Sequence, residues 1–260
     1  MVDDGSTDGT AEMIKNNGYN VRYYWQENQG EAVACNKLIT LAKARYISFV
    51  HSDDLLTPNT IERMVNAINA ESEDVIVYGS YFRIDEYGNL IGRSKKKLYS
   101  GYITQHIFQD NIVHACGSAF PKKALEEAGG FDTSLNVCSD YKLELQLSLK
   151  YRFIALSEPT FLRRRHSSNT SANSFINRKT ELDVLSDFYY CGGGKDIIPQ
   201  RLAMKRLSKE SYRAARWAIK ERLYEQARKL LEQSFKQHPN FKSLIHLVRV
   251  KMAARGETKV

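Results

Sequence analysis

Strand-like and helix-like periods of apolar residues take turns along the first 160 positions, the pattern of an α/β layer fold. Positions 1–4 read as the end of a strand, 5–9 as a turn cluster and 10–16 as a short helix. The β-branched and aromatic run at 21–25 predicts a strand, and 30–44 a helix with Ala34, Leu38, Leu41 and Ala42 on one face. Residues 46–50 are almost wholly apolar, as expected of a strand buried at a parallel position. A helix then starts with Thr57 as N-cap and Pro58 at its first position, its apolar residues Ile61, Met64, Val65 and Ile68 keeping the i, i+3, i+4, i+7 spacing. Further strands are expected at 75–78 and 152–156, a hairpin over 81–91, and helices at 121–128, ended by Gly129-Gly130, and at 140–150.

After about residue 175 the strand pattern stops, and two domains are expected: an α/β domain over 1–175 and a basic helical region over 176–260. Leu223, Ala227, Leu230, Leu231 and Phe235 form one helical stripe, and Leu244, Leu247, Val248 and Met252 a second, with Pro239 between them. The 224–239 stretch is spaced like one tetratricopeptide unit, too little for a repeat array. The helices read as an appendage on the main domain or on a partner.

Composition sharpens this picture. The chain of 260 residues has a formal net charge of +8; residues 201–260 hold +11 of it and residues 1–200 hold −3. A basic tail of this kind suits an anionic membrane surface or the solvated face of helices. No zinc finger, RNP motif or helix-turn-helix signature accompanies the charge, so nucleic acid is not an expected partner. The four cysteines, at 35, 116, 138 and 191, make no C-x-x-C pair and read as buried or semi-buried thiols. No apolar run reaches transmembrane length and no leader-like segment follows Met1, so a cytoplasmic protein is expected, peripheral on the inner face of the membrane if the tail binds lipid.

The chemistry concentrates at strand ends. His51-Ser52-Asp53-Asp54 follows the 46–50 strand at once, where α/β folds place ligands. Two adjacent carboxylates repel, and a divalent cation or a hydroxylated ligand relieves that cost; a capping turn accounts for them equally well. Asp3-Asp4-Gly5-Ser6-Thr7-Asp8 likewise ends a strand and opens a helix.

Strand–D-D-G-S-x-D-x-T–helix resembles the nucleotide-binding signature of the family 2 glycosyltransferases, which have a GT-A fold. Further matches follow in the family's order: Asn28-Gln29-Gly30 with Ala34 and Asn36; Asp53-Asp54 with Pro58; Gly117; Gly129-Gly130-Phe131-Asp132; Ser139-Asp140; and Arg164-Arg165-His166. The resemblance implies a GT-A-like, Rossmann-like mixed sheet, mainly parallel, flanked by helices. It implies an inverting transferase that moves a sugar from a UDP-sugar to a hydroxyl of a sugar, lipid-linked or protein acceptor, in synthesis of a surface polysaccharide, glycolipid or glycoprotein. By the same carry-over Asp140 is the base, Asp4 meets the nucleobase, and Asp53, Gly117 and Arg165 bind the nucleotide-sugar. Asp54 and His166 hold Mg²⁺ or Mn²⁺, while Arg163 and Arg164 add charge nearby. Asp140 at a helix start is expected to stay ionised. Acceptor loops are expected within 92–116.

The chain departs from the family pattern in three places. His51 replaces an Asp, Ser139 replaces an acidic residue, and the strand, turn and helix that precede the D-D-G-S strand in the family are absent, so the chain reads as N-terminally truncated relative to it. The missing strand would leave apolar sheet edges. A second reading therefore stands beside the first: a catalytically silent glycosyltransferase remnant that binds partners through its basic helical tail.

Overall fold

The structure, a computed structural model, describes residues 1–166 and 174–254. In chain order its elements are β1 (Val2–Asp4), α1 (Thr10–Asn16), β2 (Tyr24–Gln26), α2 (Glu31–Leu41), β3 (Tyr46–Ser48), β4 (Leu55–Leu56), α3 (Thr60–Asn69), β5 (Val75–Tyr78), β6 (Tyr81–Ile84) and β7 (Leu90–Arg93). Then come α4 (Thr104–Gln109), β8 (Ala119–Pro121), α5 (Lys122–Glu127), α6 (Ser139–Ser148), β9 (Arg152–Ala155) and β10 (Phe161–Arg164). From there the described chain is helical: α7 (Phe175–Tyr190), α8 (Gly194–Ile197), α9 (Gln200–Lys220), α10 (Tyr224–Gln237) and α11 (Phe241–Ala254). No described helix is long and apolar enough to cross a membrane.

The strands form three sheets, ordered β1-β2, β3-β8-β5-β9 and β4-β10-β6-β7. The interior strands of the second are β8 and β5, and all four residues of β5 are fully buried. The sheets are mixed, with helices packed on them. Among the described pairings β1–β2, β5–β9 and β6–β10 run parallel, whereas β3–β8, β5–β8, β4–β10 and β6–β7 run antiparallel. Antiparallel ladders are thus the more numerous among the described pairings, and β3 itself is antiparallel to β8; Phe49, just after β3, makes an isolated parallel bridge to Cys116. An apolar run shows that both faces of a strand are covered, and says nothing of its direction.

The predicted hairpin forms as β6 and β7. Its turn is tied by Asp85, whose carboxylate accepts the Tyr87 N–H at 3.0 Å and the Asn89 N–H at 2.8 Å. The start of α3 differs from expectation. Asn59, at φ 58°, occupies the cap position, and the Thr57 hydroxyl instead donates to the Pro159 carbonyl at 2.7 Å. A tertiary contact took the side chain that local capping would have used.

One hydrophobic core joins the sheets to the helices, running from Ala32 and Ile76 through Phe108 and Leu145 to Leu185, Leu207, Leu231 and Val250. Helix α7 spans the position where the sequence changes character. The α10 stripe faces inward at Ala227, Leu230 and Leu231, while Phe235 lies at its rim. The α11 stripe does so only in part: Leu247 packs against the core and Val250 is buried, but Leu244 and Val248 are exposed, and the side chain of Met252 lies outside the described ones. Part of the tail's positive charge is neutralised internally, because Arg206 pairs with Glu210 and Glu181, and Arg228 with Glu225 and Glu232.

Candidate active site

The chemistry-bearing residues lie at strand ends and helix starts that a continuous polar chain ties together. It begins at Asp4, the last residue of β1. The Asp4 carboxylate accepts the Gln26 side-chain amide at 2.7 Å and the backbone N–H groups of Gln29 and Gly30 at 3.0 and 2.8 Å. These bonds fasten the ends of β1 and β2 to the start of α2. About three of the four acceptor sites on a carboxylate are thereby used. Its neighbour Asp3 is buried and turned inward, accepting from the Ser6 N–H and the Tyr23 hydroxyl; burial alone would raise its pKa, but these hydrogen bonds lower it.

The next link is Glu31, the first residue of α2, which pairs with His51 Nε2 at 3.0 Å. That bond raises the His51 pKa above its ordinary value against the opposing effect of burial, with Asp54 adding to the rise. His51 Nδ1 stands 3.8 Å from Asp54. Asp54 is buried, and its Oδ1 accepts the Arg164 backbone N–H at 2.9 Å. The Arg164 guanidinium is engaged by main-chain carbonyls, from Nε to Asp53 at 2.9 Å and from Nη1 to Glu86 at 2.9 Å and Asp85 at 3.2 Å. It therefore clamps the β6–β7 turn to the Asp53 loop. His166 Nε2 meets Asp53 Oδ2, and not Asp54, at 3.2 Å. The Arg165 side chain has its pKa lowered by burial and by the nearby Arg163 and Arg83.

Asp140 sits in the first turn of α6, after Cys138 at φ 65°, a conformation that costs a non-glycine residue about 1 kcal/mol. Its Oδ1 accepts the Tyr141 N–H at 2.7 Å. The carboxyl is half-buried, and burial pushes its pKa up; Glu31 adds to the rise, while the Tyr141 N–H, His51 and Arg163 oppose it. The helix start favours the ionised form, and burial, the larger influence, moves the pKa the other way. A raised pKa suits a general base, since proton affinity nearer neutrality strengthens proton abstraction. The effect of Glu31, His51 and Arg163 on one carboxyl also shows that four distant segments converge here.

Two other motif residues do backbone work. Asn36 of α2 donates to the Phe131 carbonyl and accepts the Phe131 N–H, both at 2.8 Å, and a Cβ at Gly130 would lie 2.4 Å from Asn36 Oδ1. Gly117, at φ 68°, lets β10 approach; a Cβ there would stand 2.6 Å from the Phe161 ring. Sequence reasoning missed Glu31, legible only as an acid at a helix start, and Cys116, which had no signal. Ligand atoms of His51, Asp54 and Cys116 lie within 4.8 Å of one another. Burial pushes the Cys116 thiol up to about 12, so it offers no ready thiolate. With the thiol discounted, the oxygen of Asp54 and the imidazole nitrogen of His51 remain as donors of this cluster, while His166 and Asp53 pair with each other, so the expected Asp54 and His166 are not brought together as one ligand pair.

Residues 1–129 match the family model described as Glycosyl transferase family 2. The chain belongs to that family. An uncharacterized glycosyltransferase of Rickettsia felis is 30% identical over 192 residues, covering 71% of this chain and 32% of that protein. The chondroitin synthase of Escherichia coli is 29% identical over 198 residues, covering 72% of this chain and 27% of that protein. The chain thus spans about a third of the length of these curated relatives. Among solved structures, S. aureus TarS superposes with a TM-score of 0.61 at 13% identity, covering 99% of this chain and 48% of TarS. TarS 1–349 in complex with UDP-GlcNAc gives 0.57 at 13% identity, covering 100% of this chain and 83% of that one. The fold is therefore GT-A-like.

Proposed function

We propose that this chain is the transfer module of an inverting glycosyltransferase that takes a UDP-sugar as donor and works in synthesis of a surface polysaccharide, glycolipid or glycoprotein. The observation that carries the reading is a half-buried Asp140 of raised pKa, acted on by Glu31, His51 and Arg163 at the sheet end, in a chain of this family. Support for the donor comes from the structural neighbour, whose complex holds UDP-GlcNAc.

Asp140 takes the proton of the acceptor hydroxyl as its oxygen attacks the anomeric carbon, and the bond to the diphosphate breaks on the opposite face. Asp53 and Gly117 bind the nucleotide-sugar, and Arg165 supplies positive charge to the diphosphate. Asp4 meets the nucleobase with the acceptor capacity left by its bonds to Gln26, Gln29 and Gly30, which hold that turn in place. Asp54 and His166 would hold a divalent cation, Mg²⁺ or Mn²⁺, with His51 beside Asp54. Such an ion supplies charge against the departing diphosphate.

Calorimetric titration of the folded chain with UDP, with and without Mn²⁺, tests this, beside Asp54→Asn. That variant keeps the acceptor oxygen for the Arg164 N–H and loses the charge. Binding that needs the metal and is lost in Asp54→Asn is expected. A folded sample that does not bind UDP under either condition sinks the reading and favours the silent, tail-binding remnant.

A further inference from the structure

Away from this site lies a cleft of about 560 Å³ between β6, the loop that follows β7, and α4. Its wall carries four cations, Arg83, Lys95, Lys96 and Lys97, together with Tyr99 and His106. The single acid on the wall, Asp110, pairs with Lys96 at 3.1 Å. Lys96 also donates to the Asn111 carbonyl. Lys95 and Lys97 are exposed and make no ion pair among the described residues; Lys97 Nζ lies 5.2 Å from the Tyr99 ring centroid. Arg83 pairs with no carboxylate among the described residues, and its buried Nε has no hydrogen-bond partner there. Tyr99 and His106 stack with centroids 3.6 Å apart and planes 2° from parallel.

Like charges gathered on a concave wall repel one another, and the low-dielectric wall focuses their field on whatever enters. Arginine and lysine meet carboxylate and phosphate oxygens with short, charge-assisted hydrogen bonds. The flat Tyr99–His106 pair adds an aromatic surface of the kind that lines binding concavities. Tyr81 joins the cleft to the site: it lines the cleft, packs on Phe161 at 5.2 Å and on His114 at 5.1 Å, and lies 5.9 Å beneath the Arg163 guanidinium.

From this arrangement we propose that the cleft binds the acceptor, and that the acceptor is a polyanionic glycan chain, bearing repeated carboxylate or phosphodiester groups. The assignment of the bound chain as acceptor rests on the transferase reading above; the preference for anions rests on the cleft alone. Arg83, Lys95 and Lys97 hold the anionic groups, and the aromatic pair carries a sugar or polyol unit between them.

The test is direct binding of fluorescently labelled oligomers of equal length to the full chain: one uronate-bearing, one phosphodiester-linked and one neutral. Lys95→Gln/Lys97→Gln and Arg83→Gln run in parallel, and UDP affinity is measured on every sample. One anionic oligomer is expected to bind about tenfold or more tighter than the neutral one, to weaken with added salt, and to lose about tenfold in the double variant with UDP affinity unchanged. Which of the two anionic oligomers binds identifies the source of the charge. Equal binding of the neutral oligomer, an unchanged double variant, or displacement of the oligomer by saturating UDP would each overturn the proposal. The last outcome would move these cations to the donor. If UDP does not bind at all but the charge-dependent oligomer binding is present, the transferase reading falls and the anion preference of the cleft stands.

Discussion

Two glutamates, each 1% exposed, mark two regions of the molecule. Glu210 lies in the helical part, where Arg206 and Arg213 both reach its carboxylate and Arg206 also meets Glu181. Glu144 lies in α6, one turn beyond Asp140, and neither of its oxygens has a hydrogen-bond partner among the described residues. Burial drives its pKa well above the usual carboxylate value, and the charge of Asp140 pushes the same way. In the helices, burial of charge is matched by opposite charge and the result is a fixed packing. At Glu144 it is left unmatched, and both there and at the half-buried Asp140 burial yields carboxyl groups that hold protons more tightly than usual. A charge matched in this way is structural; one left unmatched beside a cleft is available for chemistry.

The strongest way to break this comparison is Asp140→Asn. If the Asp140 carboxyl is the base, sugar transfer falls by about 10²–10⁴-fold with UDP affinity intact, read from initial rates and calorimetry on the same sample. Transfer within a few-fold of the parent would remove Asp140 from the mechanism.

Next in size is Arg206→Met, which would move the helical region toward unmatched burial. Glu210 would keep only Arg213 and Glu181 only Arg178, and about 3 kcal/mol is expected to be lost in denaturant unfolding. A loss under about 1 kcal/mol would show that the pair is poorly coupled to the fold.

Glu144→Gln sharpens the contrast from the other side. An acid whose pKa is raised in the folded state gives up stability as pH climbs above its unfolded value of about 4.3, because folding must then supply a proton. The parent should lose up to about 1.4 kcal/mol per pH unit relative to Glu144→Gln through that range, until the folded pKa is reached. Parallel stability–pH curves would mean that Glu144 is ionised in place. The same sign applies to catalysis: the acidic limb of the rate profile, where Asp140 gains its proton, should lie above the ordinary aspartate value of about 3.9.

The smallest effect expected is at the start of α6. Cys138→Gly relieves the positive φ and should stabilise the fold by about 0.5–1 kcal/mol, measured by thermal unfolding. No gain would show that the side chain's packing offsets the strain.

Much of the fold was legible because local rules and tertiary packing agree. The 81–91 hairpin, the helix closed by Gly129-Gly130, the all-buried β5 and the switch to helices near residue 175 follow from periodicity and turn chemistry. Legibility ended where a distant segment decided the outcome. Thr57 has the chemistry of a cap but bonds Pro159, so the cap passed to Asn59. The strand direction of β3 was hidden because its partner, β8, lies some seventy residues further along the chain. The outward turn of Leu244 and Val248 was hidden because an apolar stripe does not record which face a neighbouring helix covers.

The same division runs through the site. The sequence by itself determined which residues are available: acids at the end of β1 and after β3, an acid at the start of α6, glycines where backbones meet, and the family to which their order points. Those properties are local, set by residue type and by spacing of a few positions. Only the tertiary structure decided how they are used. It sets Asp4 against the Gln29-Gly30 backbone, gives His166 to Asp53, places Glu31 on His51, and draws water away from Asp140. Pairing and solvation depend on distances between segments remote in the chain, and proton affinity follows from those distances and not from residue type.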